Sequence, residues 1–113
     1  MTQARTDVEA TKKRVTEAKK RIQTDVVGFV NKKYWTEAKE ELRRQVGTLR
    51  FDLNALASAK GKAEKKDALA AKTQFIRDLE AFDFQIRAKN QEAAQKAYEK
   101  AAKSFETVLA KVF

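Results

Sequence analysis

Any chemistry in this chain has to come from carboxylates, hydroxyls and amines, because its 113 residues include no His and no Cys. Thiolate and imidazole metal sites, a Cys nucleophile and a His-centred proton relay are therefore out of reach. The acid pairs that remain, Glu40 with Glu41 and Asp78 with Asp83, lack the mutual arrangement and the His partner of a hydrolytic or metal site. A di-iron bundle, for comparison, takes its metal on Glu-x-x-His motifs. Gly28, Gly47 and Gly61 are too widely spaced to make a glycine-rich phosphate loop. The expectation is a chain with no catalytic residue, no cofactor and no metal ligand.

Recognition is a different matter, since 25 basic residues against 16 acidic ones leave a formal charge of +9. Such a balance predicts salt-sensitive association with something acidic: nucleic acid, anionic lipid or a protein surface. Three stretches concentrate the charge. In "KKRVTEAKKR", residues 12–21, two basic triplets seven apart bring Lys12, Lys13, Lys19 and Lys20 onto the helix face opposite Val8, Val15 and Ile22. That face reads either as solvated surface or as an electrostatic docking face. In "KGKAEKK", Lys60, Lys62, Lys65 and Lys66 stand against Glu64 and Asp67 in what the sequence marks as a flexible polar link, a second candidate contact. The third group is Arg43, Arg44 and Arg50, whose guanidinium groups can grip a partner's carboxylates with paired hydrogen bonds. Its alternative is intrahelical pairing with Glu40 and Glu41; a Glu40–Arg44 pair would be worth about 0.3–0.5 kcal/mol. Tyr34, Trp35 and Tyr98 are candidate half-exposed anchors, with a place in the core as the competing reading for Trp35 and Tyr98, which sit on apolar stripes.

The elements that must position these groups are helices. Ala, Lys, Glu and Leu dominate, Pro is absent, and one all-α domain over residues 1–113 is expected. A first helix over about residues 2–30 carries Val8, Val15, Ile22 and Phe29 at sevens, with Ala4, Thr11 and Ala18 in the adjacent row. After a short turn, a second over about 33–59 carries Trp35, Leu42, Leu49 and Leu56, flanked by Ala38, Val46 and Leu53, and leaves Phe51 off the line. Gly61 is expected in the left-handed conformation that ends a helix. A third helix over about 64–88 holds Leu69, Phe75, Ile76, Leu79, Phe82 and Ile86. Asn90 then caps a fourth over about 91–112, with Ala94, Tyr98, Ala101, Phe105, Val108 and Val112 at fours and threes. Rods of roughly 33–42 Å joined by short links predict an up-down-up-down four-helix bundle, monomeric when isolated. The competing arrangement is a coiled coil of two long hairpins from two chains. No apolar run reaches the roughly 20 residues that cross a bilayer, and residues 1–25 lack the apolar segment of a signal peptide.

One stretch carries a resemblance. Trp35 followed by "LRRQVGTLRFDLNALASAKGKAEKK", from Leu42 to Lys66, is similar in its "LRFDL" and lysine-link spacing to the PsbQ family, and "TQARTDVEATKKRV" and "VLAKVF" resemble the ends of its green-algal members. PsbQ is the small extrinsic subunit of the photosystem II oxygen-evolving complex. The resemblance implies a four-helix bundle in the thylakoid lumen of the chloroplast, peripheral to the membrane without insertion. It further implies a non-catalytic cap, docked by basic surfaces on the photosystem II core and other extrinsic subunits. Such a cap helps retain calcium and chloride near the manganese cluster without ligating them. Two departures stand out: plant members carry a Pro-rich arm before the first helix, and cyanobacterial relatives a lipidated N-terminal Cys, neither of which this sequence shows. Two other readings of a basic bundle stay in view. A nucleic-acid binder would need base-reading side chains on one projecting helix, which charges dispersed over several helices argue against. A lipid-surface bundle would open its amphipathic stripes against anionic membranes.

Overall fold

Each run of apolar residues at threes and fours closes into a helix whose stripe must be hidden by another. The structure, a computed structural model, describes residues 2–113, with side chains from residue 8 onward. The first rod consists of α1 (Thr2–Arg21), a π-helical turn (Ile22–Val26) and α2 (Val27–Asn31) in unbroken succession; α3 (Trp35–Ser58), α4 (Lys62–Arg87) and α5 (Gln91–Val112) follow. Among the described residues there is no strand, and the four rods form an all-α four-helix bundle with Cα extents of 45 × 24 × 16 Å. The expected boundaries differ from the observed ones by only one or two residues.

The links show where local chemistry departs from expectation. Left-handed backbone occurs at Lys33 (φ 61°) and Lys89 (φ 58°), and at no glycine. Each lysine closes a helix in the same way: Tyr34 N–H donates to Phe29 O (2.8 Å) and Lys33 N–H to Val30 O (3.0 Å), while Asn90 N–H donates to Gln85 O (3.1 Å) and Lys89 N–H to Ile86 O (3.0 Å). This doubly bonded ending satisfies orphan carbonyls that a Gly usually serves, at a cost of about 1 kcal/mol for the Cβ. Gly61, expected to be left-handed, instead has φ −64° and ψ 164° and precedes the first turn of α4. The link is therefore Ala59–Gly61, and the expected loop over 60–66 is mostly helix. Asn90 does cap α5, its Oδ1 accepting from Ala93 N–H at 3.0 Å.

The buried side chains make one contiguous core. Phe75 of α4 stacks on Phe105 of α5 with ring centroids 4.3 Å apart, and Phe82 lies 5.6 Å from Tyr98. Leu42, Leu49, Leu53 and Leu56 supply the α3 layer, and Ala94, Ala101, Phe105, Val108 and Val112 are buried on α5, as the sequence pattern predicts. The first rod needs a correction. Its strict sevens end at Ile22, after which the wider π turn re-phases the stripe onto Val26 and Val30 and leaves Phe29 only half-buried.

Polar groups also enter the interior. Asp52 on α3 is 2% exposed and takes both bonds of the Arg14 guanidinium, Nε to Oδ2 at 3.1 Å and Nη2 to Oδ1 at 3.2 Å. The same Nη2 donates to Thr11 Oγ1 at 2.9 Å. Thr11, which the sequence pattern places in an apolar row, is thus an acceptor that helps aim a clamp between α1 and α3. At the other end of the first rod, Gln91 Nε2 donates to Val30 O (3.1 Å) and Asn31 O (3.0 Å), fastening α2 to α5.

Two expected outcomes follow from this packing. Arg14→Ala leaves a buried carboxylate uncompensated and should lower the urea-unfolding free energy by about 2 kcal/mol, less than a fully buried pair because the guanidinium is half-exposed. The Arg14→Met/Asp52→Leu double variant should recover most of that loss. Burial raises the Tyr98 phenol above its ordinary 10.0. The native state therefore favours the neutral phenol, a contribution fully present below about pH 10 and lost as pH climbs through the raised value. Tyr98→Phe should flatten that alkaline fall in the thermal midpoint.

Candidate docking surfaces

The basic run on α1 divides into committed and free side chains. Arg14 is spent on Asp52, Lys19 Nζ pairs with Glu106 on α5 at 3.0 Å, and Arg21 pairs with Glu17 at 3.3 Å. Lys12 lies with its Nζ 5.7 Å from the centre of the Phe113 ring. Lys13 and Lys20 are exposed and have no ion pair among the described residues. With Lys12, Glu9 and Thr16 they border one shallow depression on the outer surface of α1. An acidic partner thus meets two or three available ammonium groups here, not six cations.

At the end of the bundle where α3 passes into α4, Lys62, Lys65 and Lys66 are exposed and Lys60 is half-buried, and none of them has an ion pair among the described residues. The sequence suggested a flexible tip; the structure makes it the first turns of α4, with Lys65 N–H donating to Gly61 O at 2.7 Å. Cations at a helix N-terminus oppose the helix dipole, a small intrinsic cost that Glu64 partly offsets. The backbone of these three lysines is thus fixed on a helix, while their exposed ammonium groups are left to solvent.

The arginines of α3 do not pair as the i,i+4 rule suggests. Arg44 bonds Glu41 at 3.1 Å, not Glu40, while Arg43 reaches Asp83 at 3.8 Å and Arg50 reaches Glu80 at 3.4 Å, both across the boundary with α4. Between these bridges runs a groove of about 300 Å³ floored by Leu42, Val46 and Leu79. Gly47 leaves it open, for a Cβ there would meet nothing within 4 Å. Asp83 also accepts from Arg87 Nε at 3.0 Å, yet its buried Oδ1 has no hydrogen bond.

Aromatic residues are sorted differently from the expected anchors. Trp35 and Tyr98 are half-buried and pack against the core. Tyr34 is half-exposed, and the large apolar groups facing solvent are Phe51, Phe84 and Phe113. Sequence reasoning left Phe51 off the Leu42–Leu49–Leu56 line without giving it a role, and Phe84 fell outside the Phe75–Leu79–Phe82–Ile86 stripe unremarked. An aromatic out of phase with its own helix is the signal that would have found both.

An apolar recess of about 250 Å³ is bordered by Val27, Val30, Phe82 and Tyr98, with Gln95 and Glu99 at its edge. Among the described residues no cluster of acidic side chains has the grouping of a metal site, and no helix is long and apolar enough to cross a membrane. What the molecule presents is a bundle with rigid basic faces.

Comparison with known proteins fits that picture. The family model described as oxygen evolving enhancer protein 3, PsbQ, matches residues 1–113. Oxygen-evolving enhancer protein 3, chloroplastic, of Chlamydomonas reinhardtii is 52% identical over 111 residues, covering 98% of this chain and 56% of that protein. Oxygen-evolving enhancer protein 3-2, chloroplastic, of Arabidopsis thaliana is 33% identical over 88 residues, 78% of this chain and 38% of the plant protein. The Spinacia oleracea protein of the same type is 30% identical over a stretch of the same length, again 38% of its own chain. The chain thus spans roughly two fifths to somewhat over half of these relatives. A match running the whole length of a four-helix bundle, with half the residues shared with the algal protein, makes this chain a member of the oxygen-evolving enhancer protein 3 family, PsbQ.

Proposed function

We propose that the chain is an extrinsic subunit of photosystem II that works without catalysis. It docks as a monomer on the core and neighbouring extrinsic subunits at the lumenal side of the thylakoid membrane, and helps to retain calcium and chloride where water is oxidised. The observation that carries this reading is the reach of the family match over residues 1–113. The names of the relatives, oxygen-evolving enhancer and chloroplastic, support the role and the compartment.

The physical part belongs to the surface. Lys13 and Lys20 on α1, and Lys62, Lys65 and Lys66 on α4, carry charge that no internal partner neutralises among the described residues. They supply the attraction to an acidic surface, and complementarity of this kind sets encounter rate and orientation more than final affinity. Lys12, Lys19 and Lys60 act at the edges of these faces, while Arg43, Arg44 and Arg50 form a third contact. Trp35 and Tyr98 contribute from behind, by holding the helix faces in place. The retained ions are ligated elsewhere; the bundle slows their exchange by covering a path to bulk solvent and stiffening its neighbours.

The test is rebinding to photosystem II membranes stripped of extrinsic proteins by salt. Wild-type protein should rebind and raise oxygen evolution at low chloride. Lys13→Glu/Lys20→Glu and Lys62→Glu/Lys65→Glu/Lys66→Glu should each rebind about tenfold more weakly at low salt, with the gap closing as ionic strength shortens the screening length to about 3 Å near 1 M. Wild-type protein that leaves the stripped membranes unoccupied, or binds without restoring activity, overturns the reading.

A further inference from the structure

Phe51 is 74% exposed and Phe84 54%, yet neither is an isolated surface residue. Phe51 directly follows Arg50 and Phe84 directly follows Asp83, the residues that bridge α3 to α4. Gly47 and Glu80 line the apolar groove, and residues four apart on a helix share a face, so Phe51 and Phe84 each lie one turn beyond a lining residue, outside the lining itself. Arg87 lies 5.8 Å from the Phe84 ring centre. Because the helices run antiparallel, the two rings are displaced along the groove by about the 10 Å that separates Arg43 from Arg50 on α3.

We propose that this α3/α4 face, which holds Arg43 and Arg50 of the third contact, is a helix-docking groove, and that its occupant is an acidic amphipathic helix of a partner protein. Three observations carry it. The charge is complementary to an acidic segment: Arg43, Arg50, Arg77 and Arg87 outnumber Glu80 and Asp83, and Arg77 has no ion pair among the described residues. The bridges are exchangeable, since both guanidinium groups are half-exposed and their contacts of 3.8 Å, to a mostly buried Asp83, and 3.4 Å, to an exposed Glu80, are too loose to hold them against a partner's carboxylate. The shape is that of a helix site, with an apolar floor between two antiparallel rods, room for close approach at Gly47, and exposed rings one turn beyond the lining on each rod, available to apolar side chains of an occupant that extends past the groove. A second copy would bring the same positive face against itself. The surface shares Arg43 and Arg50 with the third contact proposed above and deepens that reading there, but its apolar anchors make it separable from the lysine faces.

The probe is a synthetic amphipathic helical peptide with leucines one heptad apart and glutamates on both flanks; its control carries lysines in place of the glutamates. Amide NMR shifts should map the acidic peptide to Gly47, Phe51 and Phe84. The Phe51→Ser/Phe84→Ser variant, with circular dichroism matching wild type, should bind it about tenfold more weakly, as should wild type the lysine peptide. Shifts confined to Lys13 and Lys20, equal binding of both peptides, or no binding overturns the proposal and leaves the photosystem reading standing. Phosphatidylglycerol vesicles bound in a Phe51- and Phe84-dependent way would assign the face to a membrane instead, and a dimer lost in the double variant would assign it to a second copy. Either result overturns the acidic-helix occupant.

Discussion

Burial of four narrow apolar stripes against one another is the constraint on which the rest of the molecule depends. The chain has no Cys to cross-link it and no Pro to stiffen its links. Each helix therefore holds its place by the side chains it hides, foremost Phe75, Phe82, Leu42, Leu49 and Leu79, which are almost wholly inaccessible. The pairing of α4 with α5 is the most extensive, centred on the Phe75–Phe105 stack. The first rod is attached differently: its stripe is poorer, and it leans on Arg14–Asp52 at one end and on Gln91 at the other. The basic face of α1 is consequently only as well positioned as that guanidinium–carboxylate bond.

Arginine and lysine incline to different work, although Lys19, Lys96, Lys100 and Lys111 also engage acids. A planar guanidinium satisfies a carboxylate with two directed bonds, whereas an ammonium keeps its water and points anywhere. Arg14, Arg21, Arg43, Arg44, Arg50 and Arg87 all engage acids of the bundle, several across helix boundaries. Lys13, Lys20, Lys62, Lys65 and Lys66 are left to solvent. Net positive charge alone would not distinguish these groups, yet only the second can meet a partner without first breaking something inside. This is the physical content of the docking proposed for a member of the oxygen-evolving enhancer protein 3 family.

Much of the architecture could be read from the residue pattern, because a strong period of threes and fours is local information. The α5 stripe and the Asn90 cap are found as expected, and helix ends fall within a residue or two. What escaped was decided across helices. Asp52 reads as a surface acid until Arg14, 38 residues away, is seen beside it. Arg43 and Arg50, for which the alternative was pairing within α3, reach Asp83 and Glu80 of α4, while Arg44 takes Glu41, one of its two intrahelical candidates. Gly61 carried the usual mark of a left-handed ending, while Lys33 and Lys89, which carry none, adopt it because the next helix has to begin there. Of the docking candidates, the pattern found the charges but could not say which were already occupied, and it left Phe51 and Phe84 without a role.

The π turn at Ile22–Val26 has a consequence for how sequences of this kind are compared. An ordinary helix advances 100° per residue, so one additional residue would swing everything beyond it out of the core. Here the widened turn absorbs that residue, keeping Val15 and Ile22 before it and Val26 and Val30 after it on a common seam. The two halves of the first rod obey numbering frames offset by one. Matching equivalent core positions between this chain and a bundle with an uninterrupted first helix therefore calls for a gap placed inside a helix, where alignment penalties are usually set to forbid it.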